Sequence, residues 1–105
     1  MAAPKHRTHT GALDDLAEAI RYLMREAPEQ APRLKALYRQ ARRSLRRHPL
    51  AHAVLYDDYR RAVLVPFKYM VVYVTDGHST DILAVLHAQR DPEALQAELR
   101  GRTFE

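Results

Sequence analysis

The chain contains no cysteine among its 105 residues, which excludes a disulfide framework, cysteine–zinc sites and thiol nucleophiles. That composition fits a reducing compartment or the lack of any redox role. No apolar run approaches the ~18 residues of a membrane-spanning helix. The N-terminal MAAPKHRTHT has no apolar block and so does not read as a secretory signal. The expected location is the cytoplasm, with no membrane partner. Internal repeats and low-complexity tracts are missing too. Disorder is excluded by a hydrophobic content of 47%. Chains split into domains only beyond ~250 residues, so a single domain over 1–105 with one core is expected.

One segment lacks charge of one sign. Between Arg33 and Arg47 there are seven basic residues and no acidic one. The whole chain carries only +4. The basicity is therefore a local feature, pointing to a surface that meets something acidic.

Hydrophobic periodicity places the elements. Leu13, Leu16, Ile20, Leu23, Met24 and Ala27 recur at helical spacing, with Asp14, Asp15 and Glu18 near the favourable end of the helix dipole. Pro28 stops this helix. A second begins between Pro28 and Pro32, buries Leu34, Leu37, Tyr38, Ala41 and Leu45, and ends at Pro49. Lys35, Arg39, Arg42 and Arg46 lie on a different face of it. Two amphipathic helices joined so tightly predict an antiparallel hairpin. The texture then turns to Val and Tyr. Val54–Tyr56, Arg61–Val65, Tyr69–Thr75 and Thr80–His87 read as strands of an antiparallel meander, with a turn at Asp76–Ser79. Asp91-Pro92 reads as the start of a short final helix. Residues 1–11 read as a weak edge strand or a frayed tail. The fold class is α+β: an N-terminal helix hairpin packed on an antiparallel sheet of three to four strands, with a short C-terminal helix.

The run Arg60-Arg61-Ala-Val-Leu-Val-Pro-Phe67-Lys68-Tyr69-Met-Val-Val-Tyr73, followed by the strand ending His87-Ala-Gln-Arg90-Asp91-Pro92, resembles the RelE/ParE toxin superfamily of bacterial type II toxin–antitoxin systems. Asp14-Asp15-Leu-Ala-Glu-Ala-Ile-Arg-Tyr-Leu23 and the basic second helix resemble that superfamily's first two helices, so the resemblance spans residues 10–95. The ending at His87–Pro92 looks more like the ParE branch. Two departures stand out: Lys5–His9 is a poor match for an apolar first strand, and the family's Phe-Pro-Tyr bend reads Phe67-Lys68-Tyr69. The resemblance implies a toxin, associated with plasmid stabilisation and growth arrest, neutralised by a cognate antitoxin in a hetero-oligomer. The ParE branch implies inhibition of DNA gyrase and no enzyme activity. The RelE branch implies ribosome-dependent mRNA cleavage, a true enzyme. An inactive binding module of the same fold is a third reading.

A metal-free ribonuclease must activate a 2′-hydroxyl and stabilise charge on the phosphorane. Arg61, Lys68, His87 and Arg90 are the residues of suitable type, with His87 the acid/base candidate because histidine titrates near neutrality. Convergence of Arg61 and His87 from neighbouring strands would make a cationic pocket. The ordinary alternative is solvated edge arginines, Arg90 paired with Asp91, and a histidine bonded to backbone. After Arg90 there is no Tyr, Lys or His, which weighs against RNA cleavage. His48 and His52 straddle Pro49, and His6, His9 and His78 fall in tail or turn, so neither a metal site nor a cofactor is expected. Tyr69 and Tyr73 share one strand face, where packing is the simpler role than base stacking. The Lys35/Arg39/Arg42/Arg46 stripe is the partner-binding candidate, with an acidic antitoxin, DNA or rRNA as its ligand.

Overall fold

The computed structural model describes residues 3–102 and Phe104. The remaining positions of the expected single domain, 1, 2, 103 and 105, lie outside the described residues.

The elements run β1 (Arg7–Thr8), α1 (Thr10–Glu26), a 3₁₀ turn (Pro28–Gln30), α2 (Ala31–Arg47), β2 (Val54–Tyr56), β3 (Tyr59–Val63), β4 (Tyr69–Thr75), β5 (Thr80–His87) and α3 (Pro92–Arg100). The prolines act as expected. Pro28 opens the tight 3₁₀ link, Pro32 falls in the first turn of α2, and α2 ends before Pro49. Helix α3 is capped by the Asp91 carboxylate, which accepts a hydrogen bond from the Ala94 amide at 3.1 Å.

The sheet has five strands in the order β1-β5-β4-β3-β2, one more than expected, and is mixed rather than purely antiparallel. Strand β1 is the reason. Its two residues pair in parallel with Asp81 and Ile82, too short for an alternating apolar signal. Arg7 instead fixes the edge by a bidentate pair with Asp81, at 2.9 and 2.6 Å. Strand β3 spans Tyr59–Val63 rather than 61–65, because Arg60 pairs with both Tyr73 and Val54.

Both faces of the sheet are covered, which explains why β5 reads as a nearly continuous apolar run. On one face, Ala19, Leu23, Leu34, Tyr38 and Leu45 of the hairpin pack with Val71, Tyr73, Ile82 and Val85. On the other, Leu95 and Leu99 of α3 pack with Met70, Val72, Leu83 and Leu86. Tyr69 and Tyr73 both belong to the hairpin side. Tyr73 is fully buried, and its hydroxyl donates to the Pro49 carbonyl at 2.6 Å, tying the end of the hairpin to the sheet. Burial pushes its pKa up, with Arg60 acting the other way.

Helix α1 starts at Thr10, with His9 as its N-cap, so no acidic residue lies in its first turn. The expected dipole role of Asp14, Asp15 and Glu18 is therefore replaced by a different one for Asp15, which pairs with Arg102.

Candidate functional site

Two regions gather the residues singled out from sequence. The first is a cleft of about 440 Å³ between α1 and the end of β4 and β5, lined among others by Glu18, Tyr22, Arg25, Tyr69, His87 and Arg90. Strand pairing sets Tyr69 opposite His87, and their rings meet edge to face with centroids 5.5 Å apart. The His87 Nδ1 accepts from the Gln89 amide at 3.2 Å, the backbone-bonded alternative foreseen for it. That bond makes Nδ1 the acceptor and leaves the proton to Nε2 in the neutral ring. Lys68 is exposed in the β3–β4 turn, and its carbonyl accepts from the Ala88 amide at 2.6 Å, so it sits at the same end of the sheet. Arg90 approaches Glu98 at 4.0 Å rather than Asp91. Burial raises the Tyr69 pKa, and the neighbouring Tyr22 and Glu18 raise it further.

Arg61 does not join this group. Strand β4 lies between β3 and β5, so Arg61 and His87 are not on adjacent strands. Arg61 is paired with Val72, whose side chain packs on the α3 side, whereas Tyr69, opposite His87, packs on the hairpin side. Cross-strand partners share a face, so Arg61 and His87 fall on opposite faces of the sheet. The condition for their convergence, neighbouring strands, is not met in this topology. Glu18 and Glu98 line the same cleft as His87 and Arg90, which opposes a polyanion there. Arg60 is not a solvated edge residue either: it donates to the His52 carbonyl at 2.7 Å and the Leu50 carbonyl at 3.4 Å.

The second region is α2. Lys35 and Arg39 are exposed, while Arg42 and Arg46 are half-buried. Among the described residues, none of the seven cations from Arg33 to Arg47 pairs with a carboxylate. Alongside, α1 leaves two residues of its apolar stripe in solvent: Leu13 is 49% and Met24 56% exposed. Periodicity counted both as core, since a stripe six residues long is wider than the face the sheet covers. Tyr22 and Arg25, which line the His87 cleft, gave no signal in sequence, because their place depends on how α1 crosses the sheet. Among the described residues no group of three or more His, Asp or Glu side chains is placed to hold a metal ion.

A family model described as ParE toxin of type II toxin-antitoxin system, parDE, matches residues 7–92. Toxin ParE2 of Mycobacterium tuberculosis, from strain CDC 1551 / Oshkosh and from strain ATCC 25618 / H37Rv, is 44% identical over 100 residues, covering 94% of this chain and 95% of each relative. Among solved structures, a chain of the "Chromosomal ParDE TA system from P. aeruginosa" aligns with a TM-score of 0.69 at 14% identity, over 82% of this chain and 97% of that one, and so shares its fold. The helix hairpin, the sheet and the strand ending at His87 all lie within the matched span, and the chain belongs to the ParE toxin family of type II toxin–antitoxin systems.

Proposed function

We propose that this toxin acts in the cytoplasm by binding rather than by catalysis, that it inhibits DNA gyrase, and that an acidic antitoxin segment neutralises it by covering the α1–α2 hairpin. The observation that carries the antitoxin reading is the run of seven cations without a counter-ion among the described residues, beside the exposed Leu13 and Met24. A chain with acidic residues on one side and apolar ones on the other satisfies both features, and a segment that orders on binding suits so long a face. The gyrase target follows from the ParE resemblance. The separation of Arg61 from His87 supports a non-nuclease, because phosphorane stabilisation needs cations converging on one centre. The gathering of Lys68, His87 and Arg90 at one end of the sheet is what favours the second reading, an mRNA interferase.

Induction of the chain alone, with gyrase supercoiling and translation followed together, separates these readings. Growth arrest with trapped, cleaved DNA and intact mRNA is expected. Cleavage of ribosome-bound mRNA with active gyrase sinks the proposal, and normal growth on verified expression of folded protein removes both readings.

A further inference from the structure

Tyr38, Arg42 and Arg46 stand at i, i+4 and i+8 of α2, so their side chains follow one another along a single flank. The Arg42 Cζ lies 5.9 Å from the centroid of the Tyr38 ring. Arg46 stretches to Thr8, its Nη2 donating to Oγ1 at 3.5 Å, the outer limit of a hydrogen bond. Tyr38 is only 4% exposed. Its hydroxyl, like the Arg46 Nε, is buried and finds no partner among the described residues. Burial lowers the Arg46 pKa, the like charge of Arg42 lowers it further, and only Tyr38 acts the other way. Two guanidiniums, a buried hydroxyl and no carboxylate make an arrangement short of one anion, since buried donors are normally paired.

We propose that the Tyr38–Arg42–Arg46 flank is a receptor for one carboxylate, an Asp or Glu side chain of the partner polypeptide, seated between the two guanidiniums, whose side chains shift to open the buried Tyr38 hydroxyl and Arg46 Nε to it as donors. This rests on the antitoxin reading and narrows it from a charged face to a single subsite. The planar Nε–Nη edge of arginine matches a carboxylate's two oxygens. A nucleic-acid backbone would instead use the exposed cations Arg33, Lys35, Arg39, Arg43 and Arg47, which can follow successive phosphates. Those residues attract the partner at long range and leave its register to the flank.

The first test is independent of any partner. The full chain is titrated with acetate while the arginine Nε–Hε signals are followed by NMR. A saturable shift at Arg42 and Arg46, absent at Arg39 and Arg43 and weakened severalfold in Tyr38→Phe, is expected. Equal shifts at all α2 arginines, no shift at all, or a clear preference for inorganic phosphate overturns the proposal. The second test uses the polypeptide encoded beside the toxin gene. Arg46→Lys and Arg46→Gln, each checked for folding by circular dichroism, should weaken its binding about tenfold or more. Arg47→Gln should change it less than about twofold. If the polypeptide binds all variants equally, the subsite fails and the antitoxin reading survives. If it does not bind the wild type, the antitoxin reading fails and the acetate titration alone decides the subsite.

Discussion

Arg102 and Asp15, 87 residues apart in the chain, form a bidentate pair that closes the C-terminal segment onto α1, with the second contact (Nη2 to Oδ1) at 3.0 Å. Both side chains are largely buried, at 11% and 14% exposure. The pair also completes the sheet. Beyond Thr8 no strand among the described residues covers the outer edge of β5, and the Leu83 carbonyl accepts from Arg102 at 3.0 Å while the Val85 amide donates to Asp15 at 3.0 Å. Removing Arg102 strands the Asp15 carboxylate and the Leu83 carbonyl together, whereas removing Asp15 strands the Val85 amide and leaves Arg102 with Glu98, whose Oε1 accepts from Nη2 at 3.1 Å. Arg102→Ala should cost about 3 kcal/mol of unfolding free energy, and Asp15→Ala less than that. The double variant should cost less than the two single losses added together. Urea denaturation checks this, and a loss below about 0.5 kcal/mol, the range of ordinary surface substitutions, would show the pair to be idle.

Gly11 stands next to that pair. A Cβ at this position would lie 2.9 Å from both Cζ and Nε of Arg102 and 3.0 Å from His9 Nδ1. Glycine in a helix ordinarily costs up to about 1 kcal/mol relative to alanine, so Gly11→Ala taken alone should stabilise α1. Here the opposite sign is expected, because the methyl group displaces the guanidinium from Asp15. In an Arg102→Ala background the two closest contacts are gone and only the His9 ring at 3.0 Å has to give, so the same substitution should cost much less. Denaturation midpoints of the four variants test this coupling directly.

The helices and the inner strands were legible because their signals are local. Pro28 and Pro49 bracket α2, Asp91-Pro92 starts α3, and β4 and β5 match the runs Tyr69–Thr75 and Thr80–His87 residue for residue. Strand β1 was legible only as one of two alternatives, a weak edge strand or a frayed tail over residues 1–11, since two residues held by an Arg7–Asp81 pair leave no periodic trace. The basic face was legible as a charge run. What sequence could not supply was which of its arginines turn inward. Arg42 and Arg46 follow the same spacing as Lys35 and Arg39, but only their turns meet Tyr38 and Thr8. Arg61 failed as a site partner for His87 because strand order, not strand identity, decides which side chains meet.

The β4–β5 turn carries a pH dependence of definite sign. The Asp76 carboxylate accepts from the His78 amide at 2.8 Å and the Ser79 amide at 2.7 Å, and Gly77 takes the positive φ of 91° that closes the turn. These hydrogen bonds favour the ionised form and pull the Asp76 pKa below its ordinary 3.8. The turn's stabilisation is therefore complete above the unfolded value and is lost as the pH falls through the lower folded one. Asp76→Asn should flatten the stability profile below about pH 4, with little change in slope near neutrality. Stability curves of both proteins between acidic and neutral pH check it, and parallel curves would remove the assignment.

Antitoxin capture should be governed by two separable sets of charges. Lys35, Arg39, Arg43 and Arg47 are exposed and lack carboxylate partners among the described residues, so they shape the field that a partner meets before contact. Neutralising all four to glutamine should slow association roughly tenfold or more at low salt while leaving dissociation within about a factor of two. Raising the salt should erase the difference, because the Debye length shrinks to about 8 Å at 0.15 M. Arg46 is half-buried and ends at Thr8, so its replacement should act mainly on dissociation and persist in salt. Stopped-flow association and surface-based dissociation, each at two ionic strengths, separate the sets. An Arg46 variant that changes only the association rate would place it with the exposed cations and merge the two sets into one.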